Sequence, residues 1–500
     1  MSYTQSNHGS YLLHVDRGTR TFDSPSSSVF DLPPERPDSG PARAPLPLTS
    51  APADLSVVKP GDIQQSRGSG PSYIIISGGT GGNSICSSFA DACFVLPVSD
   101  DGGSSSEIIR VLGGPSVGDI RSRLVRLIPQ APPSSPLDAI RNLLAHRLPS
   151  KCSYKEAREE WRDIVEGRSP LWRGIPNDRK ETIRGFLVSF ESELLKRAHK
   201  NFDFRNGSIG NYFIAAAQNF FRSLPSAIFL FASITNSQAH ILPVIVTNHT
   251  VTLAAELEDG ERLVGQCEIS HPVASTSVQV SNSDGLMFAH DEDSEGIPVA
   301  ANNVMYDRTG DEPIDILPAP ISKVYYINSY GMEIHPTPNP DFIFNLKSKD
   351  ILVYSCGSLW TSIMPCLALR GVATAIASSH SLRAKVLLLN AENDRETYGY
   401  SALDYIKPYR AIVRTLNTNY STRQYGLGNA NTMYPASAFI TDLVYLSGTT
   451  VKVDRQEIAK LGVKCTEIPQ QNAVGEKVLR FEAETVREVL DEIWLDRREE

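Results

Sequence analysis

Two short stretches limit the architecture more than anything else in the chain: "YIIISGGTGGNS" at Tyr73–Ser84 and "CFVLPVSDDGGSSS" at Cys93–Ser106. Each runs from a nearly continuous apolar segment straight into glycines and small polar residues. A strand that is apolar on both faces has to be covered on both sides, as in a parallel sheet between helical layers. The pattern returns downstream, where "DILVYS" leads through "CGSLWTS" into "IMPCLALRGVATAIA" and "AKVLLLN" leads through "AENDRETYGYS" into "ALDYIKPY". Strand, loop and helix alternating in this way predict an α/β fold built on a parallel sheet.

The rest of the chain is organised around these units. Residues 1–71 hold a Pro- and Ser-rich run, "DSPSSSVFDLPPERPDSGPARAPLPLTS", with too few apolar residues to offset the entropy of ordering, and read as a disordered tail. Residues 72–500 read as the folded domain. Within it, "LDAIRNLLAHRL" and "KEAREEWRDIVEG" mark an inserted or lid-like helical section at about 137–200. Residues 241–270 read as antiparallel strands with a turn at Asp259–Gly260. A second, irregular insertion falls at about 280–340, and its acidic run "AHDEDSEG" reads as a solvated loop.

Composition narrows the function. The formal charge of −9 and the lack of a dense basic stripe argue against a nucleic-acid partner. No apolar run approaches the roughly 20 residues of a membrane span, and the N-terminus lacks the basic and apolar regions of a secretory signal. Seven cysteines, odd in number and without a C-x-x-C pair, read as reduced thiols in a cytoplasmic setting.

The glycines after the first strand have a chemical reading. In an open α/β sheet ligands bind beyond the carboxyl ends of the strands, where a loop without Cβ atoms lets backbone amides approach a phosphate. Gly78, Gly79, Gly81 and Gly82 suit that task. The loop lacks the Gly-Lys-Ser/Thr ending of a Walker A motif, and Ser84 stands where a dinucleotide fingerprint has its third glycine. A purely structural tight turn is the alternative. In the second unit, Asp100 and Asp101 can hold magnesium, bind a ribose hydroxyl or serve as a general base, whereas helix capping accounts for one of them. In "GDIRSRL", Arg121 can clamp a phosphate, with a surface pair between Asp119 and Arg121 as the plainer reading. Cys356, beside Gly357, is either a nucleophile or a packing residue.

Seven blocks, in order, resemble a known superfamily: "GGTGG", "VSDDGGSSS", "GDIRSRL", "GSIGNYFIAAA", "LPVIVTNHTVTLAAELEDG", "CGSLWTSIMPCLALRGVATAI" and "NAENDRETYGYSALDYI". It contains the 2-phospho-L-lactate transferases of deazaflavin coenzyme synthesis and the bacterial gluconeogenesis factors, and this chain is more similar to the second branch. The resemblance implies a Rossmann-like, doubly wound, mostly parallel sheet with helical and β insertions. It also implies a nucleotide or nucleotide-sugar ligand such as a UDP-sugar, with a regulatory part in carbon metabolism. The transferase branch implies instead magnesium-dependent transfer of a phospho-carboxylate group from a nucleotide diphosphate-linked donor to an alcohol. An NAD-dependent oxidoreductase is a third reading.

By the same resemblance Gly79, Thr80, Gly81, Gly357, Ser358 and Thr361 face the phosphates. Asn211 reads a base or sugar edge while Ser208 caps its helix, Asp100 or Asp101 inherits the magnesium, and Tyr398 or Tyr400 approaches the ligand. The chain departs from the family at Gly207, where His is common, at Ser122 in place of Asn, and at Cys356 in place of Pro. The two insertions also offer a homo-oligomer contact.

Overall fold

The computed structural model describes residues 70–89, 92–271, 316–407, 434–469 and 479–499. Contacts divide the chain into 1–67 and 68–500, and every described residue lies in the second unit. The predicted tail before residue 70 and the acidic run at 289–296 lie outside the described residues.

The apolar segments form the expected sheet. β1 (Tyr73–Ile76), β2 (Cys93–Leu96), β3 (His240–Pro243), β8 (Ile351–Tyr354), β9 (Ala384–Leu388), β10 (Asp442–Leu446) and β11 (Lys464–Ile468) pair in the order β11-β10-β9-β8-β1-β2-β3, every pair parallel. All four residues of β1, β2 and β8 are buried, as an interior strand covered on both faces requires. From β1 the chain moves outward to β2 and β3 in one direction, and from β8 to β11 in the other. The order therefore switches between β1 and β8, the position at which open α/β sheets form a crevice.

A second sheet is antiparallel: β4 (Thr252–Leu257), β5 (Arg262–Val264), β6 (Ile321–Ile327) and β7 (Glu333–Ile334), in the order β5-β4-β6-β7. The turn expected at Asp259–Gly260 does join β4 to β5, with Gly260 at φ 89°. Residues 240–243 depart from the antiparallel reading: they pair parallel with β2 and close the edge of the large sheet. The stretch expected to be irregular supplies β6 and β7 from Ile321 onward.

Helices α1 (Thr80–Ile85), α2 (Gly103–Leu112) and α3 (Gly118–Arg126) follow the first two strands. The helical section supplies α4 (Pro136–Ala145), α5 (Tyr154–Val165) and α6 (Asn177–Leu195), then α7 (Ile209–Phe221) and α8 (Leu224–Ile234). Ser135, Ser153, Ser208 and Ser223 cap α4, α5, α7 and α8, and Ser153 with Glu156 completes a capping box. The section is fixed to α7 by buried aromatic rings: Phe190 stacks on Tyr212 at 4.6 Å and Trp161 meets Tyr212 edge-on at 5.2 Å. Such pairs add about 0.5–1.5 kcal/mol each beyond the area they bury, so this section is part of the core and not a cover hinged over the sheet. Tyr212 also explains the departure at Gly207, because a Cβ there would run into the Tyr212 hydroxyl.

The last described helix, Ala483–Glu499, returns to the start of the domain. The Ser88 hydroxyl donates to the Ala483 carbonyl at 2.6 Å, and Arg487 Nε donates to the Ser88 carbonyl at 3.0 Å.

Candidate functional site at the switch point

The loop after β1 is glycine-rich because its neighbours leave no room for side chains. A Cβ on Gly78 would strike Ser362, on Gly79 the Asp119 carboxylate, on Gly81 the Cys356 carbonyl, and on Gly82 the Arg123 guanidinium. None of the four has a positive φ, so close approach is the reason for glycine here. Beneath the loop lies the fully buried Arg123. It donates to the Gly82 carbonyl at 2.5 Å, the Ser77 hydroxyl at 3.0 Å and the Gly78 carbonyl at 3.1 Å, with its guanidinium 4.9 Å from the centre of the Phe94 ring. Those bonds turn the loop's carbonyls downward onto a cation. Nothing in the sequence marks Arg123, one of several arginines in an amphipathic helix.

The loop after β2 separates its two carboxylates. Asp100 Oδ1 accepts the Gly102 amide at 3.0 Å, while Asp101 Oδ1 accepts the Cys267 amide at 2.8 Å, in the helix that follows β5. Asp100 also faces the start of α3, where a Cβ on Gly118 would sit 2.9 Å from its Oδ2. Beside it stands Asp119, which takes the Gly79 amide and does not pair with Arg121. Burial and then the Asp119 charge push the Asp100 carboxyl up to about 8. Burial raises Asp119 to about 6, against the opposing pull of Arg123 and the Gly79 amide. Asp101 is raised as well, by burial, with the Cys267 amide working against it. Asp119 therefore belongs with the candidate site, and helical spacing is the signal for it: residues two apart on a helix do not face each other.

The loop after β8 is held by Asn390, which accepts the Gly357 amide and donates to the Gly357 carbonyl, both at 2.8 Å. Gly357 sits at φ 133°, a conformation that favours glycine. Ser358 is partly exposed beside it. Thr361 is turned inward: its hydroxyl donates to Glu396 Oε1 at 2.5 Å, and the Trp360 and Thr361 amides donate to Oε2 at 3.0 and 3.2 Å. Burial, with Asp394 adding to it, pushes Glu396 up to about 8. Tyr400 accepts the Trp360 indole at 3.3 Å, and Tyr398 is exposed. Burial pushes the Cys356 thiol up to about 11, which favours the packing reading over the nucleophile.

Two expected ligand contacts lie behind the edge. Asn211 is buried and donates to the Ser104 hydroxyl at 2.7 Å, tying α7 to the first turn of α2, while Ser208 accepts the Asn211 amide at 3.4 Å. Arg121 donates to the Ala145 carbonyl at 2.9 Å. The residues brought together at the switch point are thus Gly78, Gly79, Gly81 and Gly82, Asp100, Asp119, Gly357 and Ser358. Thr80 begins α1 in the same loop. At that edge α1, α2 and α3 all start without a side-chain cap. Among the described residues no group of three or more His, Cys, Asp or Glu is arranged to hold a metal ion, and no helix is long and apolar enough to cross a membrane.

A parallel sheet with a switch point between glycine loops, uncapped helix starts beside it and a separate antiparallel sheet define an α/β protein of the Rossmann-like type. The sequence model of the family described as 2-phospho-L-lactate transferase CofD matches residues 74–470, and the chain belongs to that family. It is 35% identical to the uncharacterized protein YNL011C of Saccharomyces cerevisiae, over 84% of this chain and 99% of the yeast protein. It is 21% identical to a Clostridium acetobutylicum protein named "Putative gluconeogenesis factor", over 86% of this chain and 71% of that one. A crystal structure of a UPF0052 family member from Bacillus halodurans shares the fold at a TM-score of 0.51 and 19% identity, covering 84% of this chain and 98% of that one.

Proposed function

We propose that the chain binds the diphosphate of a nucleotide or nucleotide-sugar, a UDP-sugar in the leading reading, and acts in the regulation of carbon metabolism in the cytoplasm. The observation that carries this is the convergence of three uncapped helix starts and two glycine loops at one switch point. Backbone amides at helix starts are suited to phosphate oxygens. The Asp119 carboxylate already takes one of them, Gly79, so an anion is compatible with that position. Seven free cysteines suit a reducing compartment.

A second reading, transfer of a phospho-carboxylate group to an alcohol, draws on the adjacent carboxylates of Asp100 and Asp119. Magnesium in proteins commonly takes one or two carboxylates and completes its shell from phosphate oxygens and water, and these two residues fit that donor set; Asp101 is engaged by the Cys267 amide. When bound, the ion would neutralise diphosphate charge. Gly79 and Gly81 would orient the donor, and Asp100 and Asp119, by holding the ion, would position the donor against the acceptor hydroxyl.

A thermal-shift panel of UDP-sugars, GDP, NAD and NADP, each with and without magnesium, separates the readings. A magnesium-independent shift by a UDP-sugar supports the first. A GDP shift that requires magnesium and disappears in Asp100→Asn supports the second. A response to NAD or NADP alone overturns both in favour of the oxidoreductase.

A further inference from the structure

The face of α3 that carries Asp119 and Arg123 is turned to the glycine loop; its other flank borders a cleft of about 580 Å³. The volume falls within the range of small-molecule sites, roughly 300–1,000 Å³. Its polar wall is formed by Arg121, Arg126 and Arg141 with Asn83, Ser122 and Gln130, and among the described residues no Asp or Glu lines it. None of Gly78, Gly79, Gly81, Gly82, Asp100 or Asp119 lines it either.

The three guanidiniums are met only by backbone carbonyls. Arg121 Nη2 donates to Ala145 at 2.9 Å, Arg126 Nε to Asn83 at 3.3 Å, and Arg141 Nη2 to Ile128 and Pro129 at 2.8 and 3.0 Å. Arg121 is only 8% exposed, yet its Nε has no hydrogen-bond partner. An unmet buried donor on a cation is costly, and burial together with the nearby Arg147 pushes Arg121 down to about 10. Asn83 Oδ1 is likewise buried without a donor, and its Nδ2 donates to the Ser122 hydroxyl at 2.7 Å, which ties α1 to α3 along the cleft. Three arginines on one wall suit an anion with several acceptor oxygens, which phosphate meets through paired N–H···O bonds, and the exposed Gln130 amide beside them suits a sugar hydroxyl.

We propose that this cleft is a second ligand site, separate from the switch-point site, and that it takes a phosphorylated, hydroxyl-bearing small molecule of the sugar-phosphate class. The test is calorimetric titration of the full chain in magnesium-free buffer with glucose 6-phosphate as the probe, inorganic phosphate as the anion-only arm and glucose as the hydroxyl-only arm. Glucose 6-phosphate is expected to bind more tightly than inorganic phosphate, and glucose not to bind. Arg126 is exposed, so Arg126→Gln keeps the fold; it should weaken glucose 6-phosphate about ten-fold, with Arg126→Lys in between. Asp100→Asn, at the other site, should leave that affinity within about two-fold. No heat from glucose 6-phosphate at millimolar concentration, equal binding of glucose, or an affinity unaltered by Arg126→Gln would each overturn the proposal.

Discussion

Helices begin differently in two parts of this molecule. In the helical section and on α7 and α8, a serine side chain closes four of the five starts, at Ser135, Ser153, Ser208 and Ser223, and α6 begins after Pro176 without one. At the carboxyl edge of β1 and β2, the three starts at Gly79, Gly102 and Val117 have no such closure. Side-chain caps thus close most starts in the helical section and none of the three at the switch-point edge, where the Gly118 amide instead meets the Ser116 hydroxyl at 3.4 Å. Carboxylates gather at the open end, and their raised proton affinities reflect first their burial and then, at Asp100, the neighbouring Asp119 charge.

The contrast can be broken most severely from beneath the edge. Arg123→Met removes three donors from the Ser77–Gly82 loop and the cation that faces Asp119, and should cost roughly 3 kcal/mol of unfolding free energy with ligand response lost, read by urea denaturation and thermal shift. Next comes Gly81→Ala. Its methyl meets the Cys356 backbone, which cannot retreat as a flexible side chain would, so a loss of about 1–3 kcal/mol and of ligand binding is expected in the same assays.

A pH series sharpens the comparison. A carboxyl whose folded affinity for protons is raised favours folding while both states are protonated, and that contribution declines as pH rises through the folded value. Between about pH 4 and pH 8 the wild-type melting temperature should therefore fall, with Asp100 and Glu396 sharing the upper part of the window. Asp100→Asn should flatten that slope and be more stable than wild type at pH 8, seen by scanning calorimetry; an unaltered slope would remove Asp100 from the account. The smallest effect belongs to the closed starts: Ser153→Ala should cost about 1 kcal/mol by chemical denaturation and leave ligand response untouched.

The large sheet was legible where a continuous apolar run gave way to small and polar residues, as after Ile76 and Leu96, because burial on both faces writes itself into consecutive residues. β11 shows the limit. "KCTEI" is an edge strand with only Ile468 buried, so its place comes from pairing with β10 and not from its own composition. Residues 240–243 were read with the wrong partner for a related reason: an apolar strand does not say whether its neighbour runs parallel. At the site, the glycines were legible as small residues, but their purpose was not, since the crowding atoms come from Asp119, Arg123, Cys356 and Ser362, far away in sequence. Thr361 looked available in a polar loop, and its partner Glu396 lies 35 positions on.

The helix at Ala483–Glu499 fastens onto Ser88, 395 and 399 positions earlier at its two contacts. During synthesis the segment after the glycine loop emerges 395 residues ahead of the helix that clasps it, so a nascent chain carries the glycine loop for most of that interval without this fastening.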